Sequence, residues 1–305
     1  MTTEALSNGM TVGAYQLADQ VGEGGFARVF RARGPAGEDV AVKVLAAGLD
    51  GQTTPSLLER FSREIEVLAS VRHPNLVALL DHGIDPQRGP YLVMPLLLGV
   101  TLRALIPARG VGPEGALRLV APVVDAVGAM HAAGLVHRDL KPENVIVSPR
   151  GDVTLVDLGL ALGMDHSRLT RTGTVAGSVP YMAPEQIEGD PPTPATDVFA
   201  LGGVLYELLC GSRPFRRGRS GEEVAAILAG TFDALIDRDR RVSPALDALV
   251  TRCLSPKPED RPADAHELAA ELREHLDWAP PSAHRREVVA LSSDPAAYQE
   301  ARAKE

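Results

Sequence analysis

The stretch HRDLKPENVIV, His137 to Val147, crowds a carboxylate (Asp139), an ammonium (Lys141) and a side-chain amide (Asn144) against β-branched residues suited to burial. Such a segment reads as a polar site held at the end of a strand. A carboxylate can orient a hydroxyl nucleophile and accept its proton, while an amide oxygen and a second carboxylate can hold a hard cation such as magnesium. Asp157, at the end of the apolar run VTLVD, is that second carboxylate. Taken singly, each of these residues could equally be a cap or a surface turn.

Two other places carry compatible chemistry. In GEGGFARV, Gly22, Gly24 and Gly25 remove side-chain obstruction, so that backbone amides can approach phosphate oxygens. An ordinary glycine-rich hairpin fits the same letters, and the Gly-Lys-Ser/Thr ending of a P-loop is missing. Lys43 stands between apolar neighbours in AVKVL. A buried ammonium needs a partner, for which Glu64 is available, whereas an edge-strand lysine at the surface needs none. Phosphoryl transfer needs such a split arrangement of carboxylates, amide, ammonium and bare backbone.

The elements that must hold them are legible from periodicity. AYQLADQVGEGGFARVFRAR predicts two strands around the glycine turn, and DVAVKVL a third. SLLERFSREIEVLASV places Leu57, Phe61, Ile65 and Leu68 at helical spacing, with Ser56 and Glu59 as a capping box. LVALLDHGI and PYLVMPLL add two more expected strands, so the first hundred residues form a mostly antiparallel lobe with one helix. Beyond residue 101 helices dominate. PEGALRLVAPVVDAVGAMHAAG is one long helix with Pro122 as an interior breaker, and NVIV with VTLVDLG is a strand pair around SPRGD. TDVFALGGVLYELLCG is apolar around most of its circumference and stops at Gly211, as a core helix does. Further helices are expected at 221–229, 243–253 and 263–276.

The 305-residue chain is long enough for two lobes, and its net charge of −9 gives no general ground for nucleic-acid binding. Cys210 and Cys253 make neither a disulfide framework nor a thiolate cluster, which fits a reducing cytoplasm. No uninterrupted apolar run reaches about 20 residues, so an integral membrane segment is not expected. The tail after Trp278 opens with two adjacent prolines and is rich in charge, as a flexible segment or short docking peptide would be.

The ordered set GEGGFARV, AVK, HRDLKPEN, DLG and APE resembles the catalytic domain of eukaryotic-type serine/threonine protein kinases, the bacterial branch in particular. The resemblance implies an α+β, bilobal protein-kinase fold: a small antiparallel β-sheet N-lobe with helix C over 15–98 and a mainly helical C-lobe over 99–276, flanked by an arm (1–14) and a tail (277–305). It also implies Mg-ATP-dependent phosphorylation of serine and threonine in protein substrates, with Mn2+ able to substitute. In such a domain Val21, Gly22, Glu23, Gly24, Gly25, Phe26, Ala27, Arg28 and Val29 cover ATP. Ala41, Met94, Pro95 and Leu97 line the base, and Lys43, paired with Glu64, contacts the α- and β-phosphates. Asp139 orients the substrate hydroxyl, Lys141 stabilises the transferred group, and Asn144 and Asp157 bind magnesium.

The family pattern also makes Thr170, Thr172 and Thr174 candidates for activating autophosphorylation, with Arg138 as the phosphate-sensing partner. A transient homodimer would serve phosphorylation in trans. Glu185 with Arg261 matches a structural ion pair, and Asp197 matches the residue that braces the catalytic-loop backbone. Four positions depart from the pattern. Ala27 replaces the third loop glycine, Leu158 the phenylalanine of DFG, Pro95 an acidic residue, and Leu98 a polar ribose contact. A pseudokinase or nucleotide-responsive scaffold is the alternative those departures leave open.

Overall fold

The computed structural model describes residues 9–24, 27–45, 55–107, 110–157, 179–217 and 220–275, with main chain alone over 55–61 and at 220. The chain divides into two compact units, and the division falls between Leu97 and Leu98. Residues His73–Leu76 belong to the second unit although their flanks belong to the first.

The first unit is a six-stranded sheet with one helix. Its strands are β1 (Thr11–Val12), β2 (Tyr15–Gly24), β3 (Ala27–Arg33), β4 (Asp39–Leu45), β5 (Asp81–Asp85) and β6 (Gly89–Pro95), in the spatial order β1-β2-β3-β4-β6-β5. Every pairing is antiparallel. Side chains alternate across a pleated strand. Phe30, Ala32, Val40, Val42, Val44, Tyr91 and Val93 therefore join Val12, Tyr15 and Leu17 in one buried cluster, while Lys43 projects to the opposite side. Helix α1 (Pro55–Ser70) contributes the buried Ile65 and Leu68.

Residues expected to be arm or strand behave differently here. Thr11 and Val12 pair with Gln16 and Tyr15, and Val12 is fully buried, so the sheet begins inside the segment read as a polar arm. The single strand expected from LVALLDHGI is split. Leu76 makes a lone parallel bridge to Leu155 in the second unit, and only Asp81–Asp85 joins the sheet.

The second unit is mainly helical, with a small sheet of β7 (Val100–Thr101), β8 (Val145–Val147) and β9 (Val153–Leu155) in that order. Helix α2 (Leu102–Leu105) precedes α3 (Gly112–Ala132), which runs through Pro122 without a break. Then follow α4 (Pro184–Glu188), α5 (Pro194–Cys210), α6 (Ser220–Ala229), α7 (Leu235–Arg238), α8 (Pro244–Cys253) and α9 (Ala265–His275). Almost the whole of α5 is buried, and Gly211 closes it at φ 75°, a conformation glycine adopts without a Cβ penalty. Among the described residues α3 alone is long and apolar enough to cross a membrane by length and composition, yet it is mostly buried in this unit, packed on α5 and α9.

Candidate active site

In the first unit the register aligns residues far apart in sequence. Gly22 lies opposite Val29, Val29 opposite Lys43, and Lys43 opposite Leu92, so one row across four strands links the glycine hairpin to the lysine. Two positions along, Ala41 lies opposite Met94, both buried. The hairpin stays paired as far as Gly24 with Ala27, which flanks Gly25 and Phe26; those two lie outside the described residues. Glu23 and Arg28, opposite one another, make an exposed ion pair at 3.6 Å. A Cβ placed on Gly22 would meet only Val29, at an ordinary contact distance of 3.6 Å. The fold itself does not demand glycine there, as expected where the backbone is kept bare for a ligand. Lys43 is buried, Glu64 is half-buried on α1, and Val21 is exposed. Pro95 ends β6 and Leu97 is partly exposed.

The second unit holds the remaining polar residues on one short segment. Leu140 is buried, and a single 3-10 turn, Pro142–Asn144, leads directly into β8. Lys141 Nζ donates to Asp139 Oδ2 at 2.7 Å, and Asn144 Nδ2 donates to the same oxygen at 3.3 Å and to the Asp139 carbonyl at 2.8 Å. Among the described residues no hydrogen bond falls on Asp139 Oδ1, which keeps its lone pairs for a hydroxyl donor. Asn144 spends only its Nδ2 on these bonds, so its Oδ1 stays available as a hard oxygen donor. The Asn144 carbonyl accepts from Val156 N at 2.9 Å, tying the segment to the strand end that carries Asp157.

His137 and Asp197 fix the backbone of this segment. The fully buried His137 ring accepts from Asp139 N on Nδ1 (3.3 Å), which leaves the proton on Nε2 to donate to the Asp157 carbonyl. The Asp197 carboxylate, on the first turn of α5, accepts from His137 N at 2.7 Å and Arg138 N at 2.8 Å. His131, on α3, donates to it from Nε2 at 2.8 Å, because Nδ1 accepts from Ala265 N at 3.1 Å. Arg138 is the one non-glycine residue with positive φ among the described residues, at 73°. Left-handed backbone costs such a residue about 1–2 kcal/mol, so surrounding contacts must impose it.

Lower in the same unit Arg261 meets Glu185 through both terminal nitrogens, at 2.8 and 2.9 Å, and also donates to three backbone carbonyls. The arginine side chain is fully buried. Burial pushes the Glu185 carboxyl up, but the hydrogen bonds and charge of Arg261 outweigh it and hold the group below its ordinary range. The Cys253 thiol, by contrast, is pushed up to about 12 by burial.

Several anchoring residues escaped the sequence reading because their partners are remote in the chain. Gln186 donates from Nε2 to the Arg138 carbonyl at 2.9 Å. Asn75 Nδ2 donates to the Val153 carbonyl at 2.7 Å, which explains why His73–Leu76 belong to the second unit. Arg103 joins Glu143 and Glu207 at 2.7 Å each and also donates to the Tyr181 hydroxyl. Leu158, Thr170, Thr172 and Thr174 lie outside the described residues.

A sheet-and-helix unit with a phosphate-suited hairpin, joined in one chain to a helical unit with an HRD-type catalytic segment, is the build of a protein kinase. The profile of the protein kinase domain family matches residues 15–276, and the chain belongs to that family. It is 35% identical over 277 residues to the serine/threonine-protein kinase PknL of Mycobacterium tuberculosis, covering 89% of this chain and 68% of that protein. To the serine/threonine-protein kinase PknB of Mycobacterium leprae it is 38% identical over 278 residues, covering 88% of this chain but 44% of that protein. Among solved structures it is similar to Rad53 residues 1–466 in complex with AMP-PNP, with a TM-score of 0.68 and 25% identity over 86% of this chain and 64% of that one. The chain is thus an enzyme of the serine/threonine protein kinase class, with the bacterial eukaryotic-type domain.

Proposed function

We propose that the chain transfers the terminal phosphoryl group of ATP, in the presence of magnesium, to serine and threonine hydroxyls of protein substrates. The arrangement around Asp139 carries this reading. Lys141 and Asn144 both hold Oδ2, which orients the carboxylate and leaves Oδ1 for the acceptor hydroxyl. Lys141, at 2.7 Å from that carboxylate, is placed to meet charge on the group in transit once substrate competes for Asp139. Little covalent chemistry is asked of the protein, and positioning with charge stabilisation supplies most of the effect.

In this reading Gly22–Val29 cover the phosphates, Lys43 with Glu64 holds the α- and β-phosphates, and Ala41, Met94, Pro95 and Leu97 receive the base. Asn144 Oδ1 and the Asp157 carboxylate are hard oxygen donors, but no group of three or more His, Cys, Asp or Glu that could hold a metal occurs among the described residues. That donor set suits a cation carried in largely by nucleotide phosphates, as magnesium is, rather than a dedicated protein cage. When bound, magnesium would supply neutralisation of the phosphate charge. Arg138 Nε is buried without a hydrogen-bond partner among the described residues, which supports its assignment as the receiver of a phosphorylated Thr170, Thr172 or Thr174. A transient homodimer for that step and a cytoplasmic location belong to the same proposal. The buried free thiols of Cys210 and Cys253 fit a reducing compartment.

The test is transfer from labelled ATP to general protein substrates, followed by phosphoamino-acid analysis. Phosphoserine and phosphothreonine are expected, with transfer lost on chelation of magnesium. Phosphotyrosine alone, or no transfer to any protein, would overturn the reading.

A further inference from the structure

The only non-glycine left-handed residue described in the chain, Arg138, is adjacent to Asp139. Its peptide neighbours are gripped from two directions. Asp197 takes the amides of His137 and Arg138, and Gln186 donates to the carbonyl of Arg138. That carbonyl belongs to the peptide group whose nitrogen is that of Asp139, so the Gln186 bond sets the plane from which the Asp139 side chain departs.

Gln186 is 4% exposed, and both ends of its amide are committed. Its Oε1 accepts from Ala183 N at 3.0 Å, capping the first turn of α4, while Nε2 reaches back across 48 positions to Arg138. Ala183 offers no side-chain acceptor of its own, so this cap rests on Gln186. One buried amide therefore joins the start of α4, just after the turn Val179–Tyr181, to the backbone beside Asp139. A hydrocarbon of the same size would leave the Ala183 amide without the acceptor Gln186 provides and the Arg138 carbonyl without its Gln186 donor.

We propose that Gln186 is a positioning residue for phosphoryl transfer, holding Arg138 in its left-handed conformation and thereby aiming Asp139. The proposal rests on the kinase reading above for its catalytic consequence. Its conformational part stands apart from that reading.

The experiment compares Gln186→Met with wild type in two readouts, and repeats the pair in an Arg138→Asn background, because asparagine accepts left-handed backbone at low cost. Amide hydrogen exchange over residues 136–144 should rise about tenfold or more in Gln186→Met, and this holds whether or not the chain transfers phosphate. In the active protein kcat should fall about tenfold or more with KM for ATP unchanged. That loss should shrink in the Arg138→Asn background. Should Gln186→Met fail to fold, Gln186→Glu at about pH 8 keeps an acceptor for the Ala183 amide and replaces the donor by a carboxylate oxygen, so the same two changes are expected of it. Catalytic-loop exchange at the wild-type rate, or equal kcat losses in both backgrounds, would reduce Gln186 to a helix cap and overturn the proposal. An inactive wild type with faster exchange in the variant would sink the kinase reading and leave the conformational role of Gln186 standing.

Discussion

At the scale of single residues, function depends on where lone pairs and protons are left. Asp139 is held through one carboxylate oxygen, and its value lies in the other. Asp139→Asn keeps the shape but replaces the basic carboxylate by a neutral amide with a single acceptor oxygen, so kcat should fall about 10²–10⁴-fold while nucleotide binding, followed by calorimetry, stays within a few-fold of wild type. The pair Glu185–Arg261 is a different kind of residue-scale device. Arg261→Ala would leave a carboxylate buried without its partner and should cost about 3–5 kcal/mol in denaturant unfolding. Its pH dependence has a definite sign. Because Arg261 holds the folded-state Glu185 below its ordinary 4.5, the pair's contribution is present above that value and is lost as pH falls through the lower folded value. The stability gap between wild type and Glu185→Gln should accordingly be full near neutrality and close below about pH 4.5. A gap independent of pH would refute that assignment.

At the scale of elements, the catalytic segment is a loop made rigid by helices that contribute almost nothing else to it. Asp197, at the start of α5 and 1% exposed, accepts hydrogen bonds from His131 Nε2, His137 N and Arg138 N. Asp197→Ala would orphan three buried donors at about 1–3 kcal/mol each, so thermal stability and activity should fall together. Gly110 makes a related point about chain approach. With φ 70° and a hypothetical Cβ only 2.1 Å from the Leu209 carbonyl, it lets the turn before α3 lie against the backbone of α5. Gly110→Ala should lower the melting temperature measurably, since the obstructing atom is main chain and cannot rotate aside. An unchanged melting temperature would mean the turn relaxes away from α5 at no cost.

Element existence was largely legible in the sequence, for physical reasons that also explain the misses. The helices at 220–229, 244–253 and 265–275 follow strong apolar periodicity, and β3, β4 and β6 alternate or run apolar as buried strands do. The long helix expected around Pro122 is present, and the question the sequence leaves open there, kink or interruption, is decided by α3 continuing through the proline, because packing on both sides can outweigh one missing hydrogen bond. The split at Leu76–Asp85 was illegible, since Asn75 and Leu76 are fixed by Val153 and Leu155, about 80 residues later. At the site, motif spacing singled out Asp139, Lys141, Asn144 and Asp157, whereas the long-range partners Gln186 and Asn75 carry no local signal. Only a structure discloses which amide meets which carbonyl.

At the scale of the whole molecule, the chain is an acidic two-unit protein kinase with a formal charge of −9. Only four lysines occur in the chain, and two of them, Lys43 and Lys141, are in the proposed catalytic set. The chain spans less than half of PknB and 68% of PknL, so what those longer proteins do as wholes is a separate matter from the catalysis argued here. The most direct test of that catalysis is time-resolved intact mass of dephosphorylated protein given ATP and magnesium, beside Asp139→Asn, with peptide mapping of the product. Successive phosphate gains by the wild type alone, concentrated on Thr170 to Thr174, are predicted. Equal gain in both proteins, or none in the wild type while ATP binds and general protein substrates also stay unmodified, would contradict it.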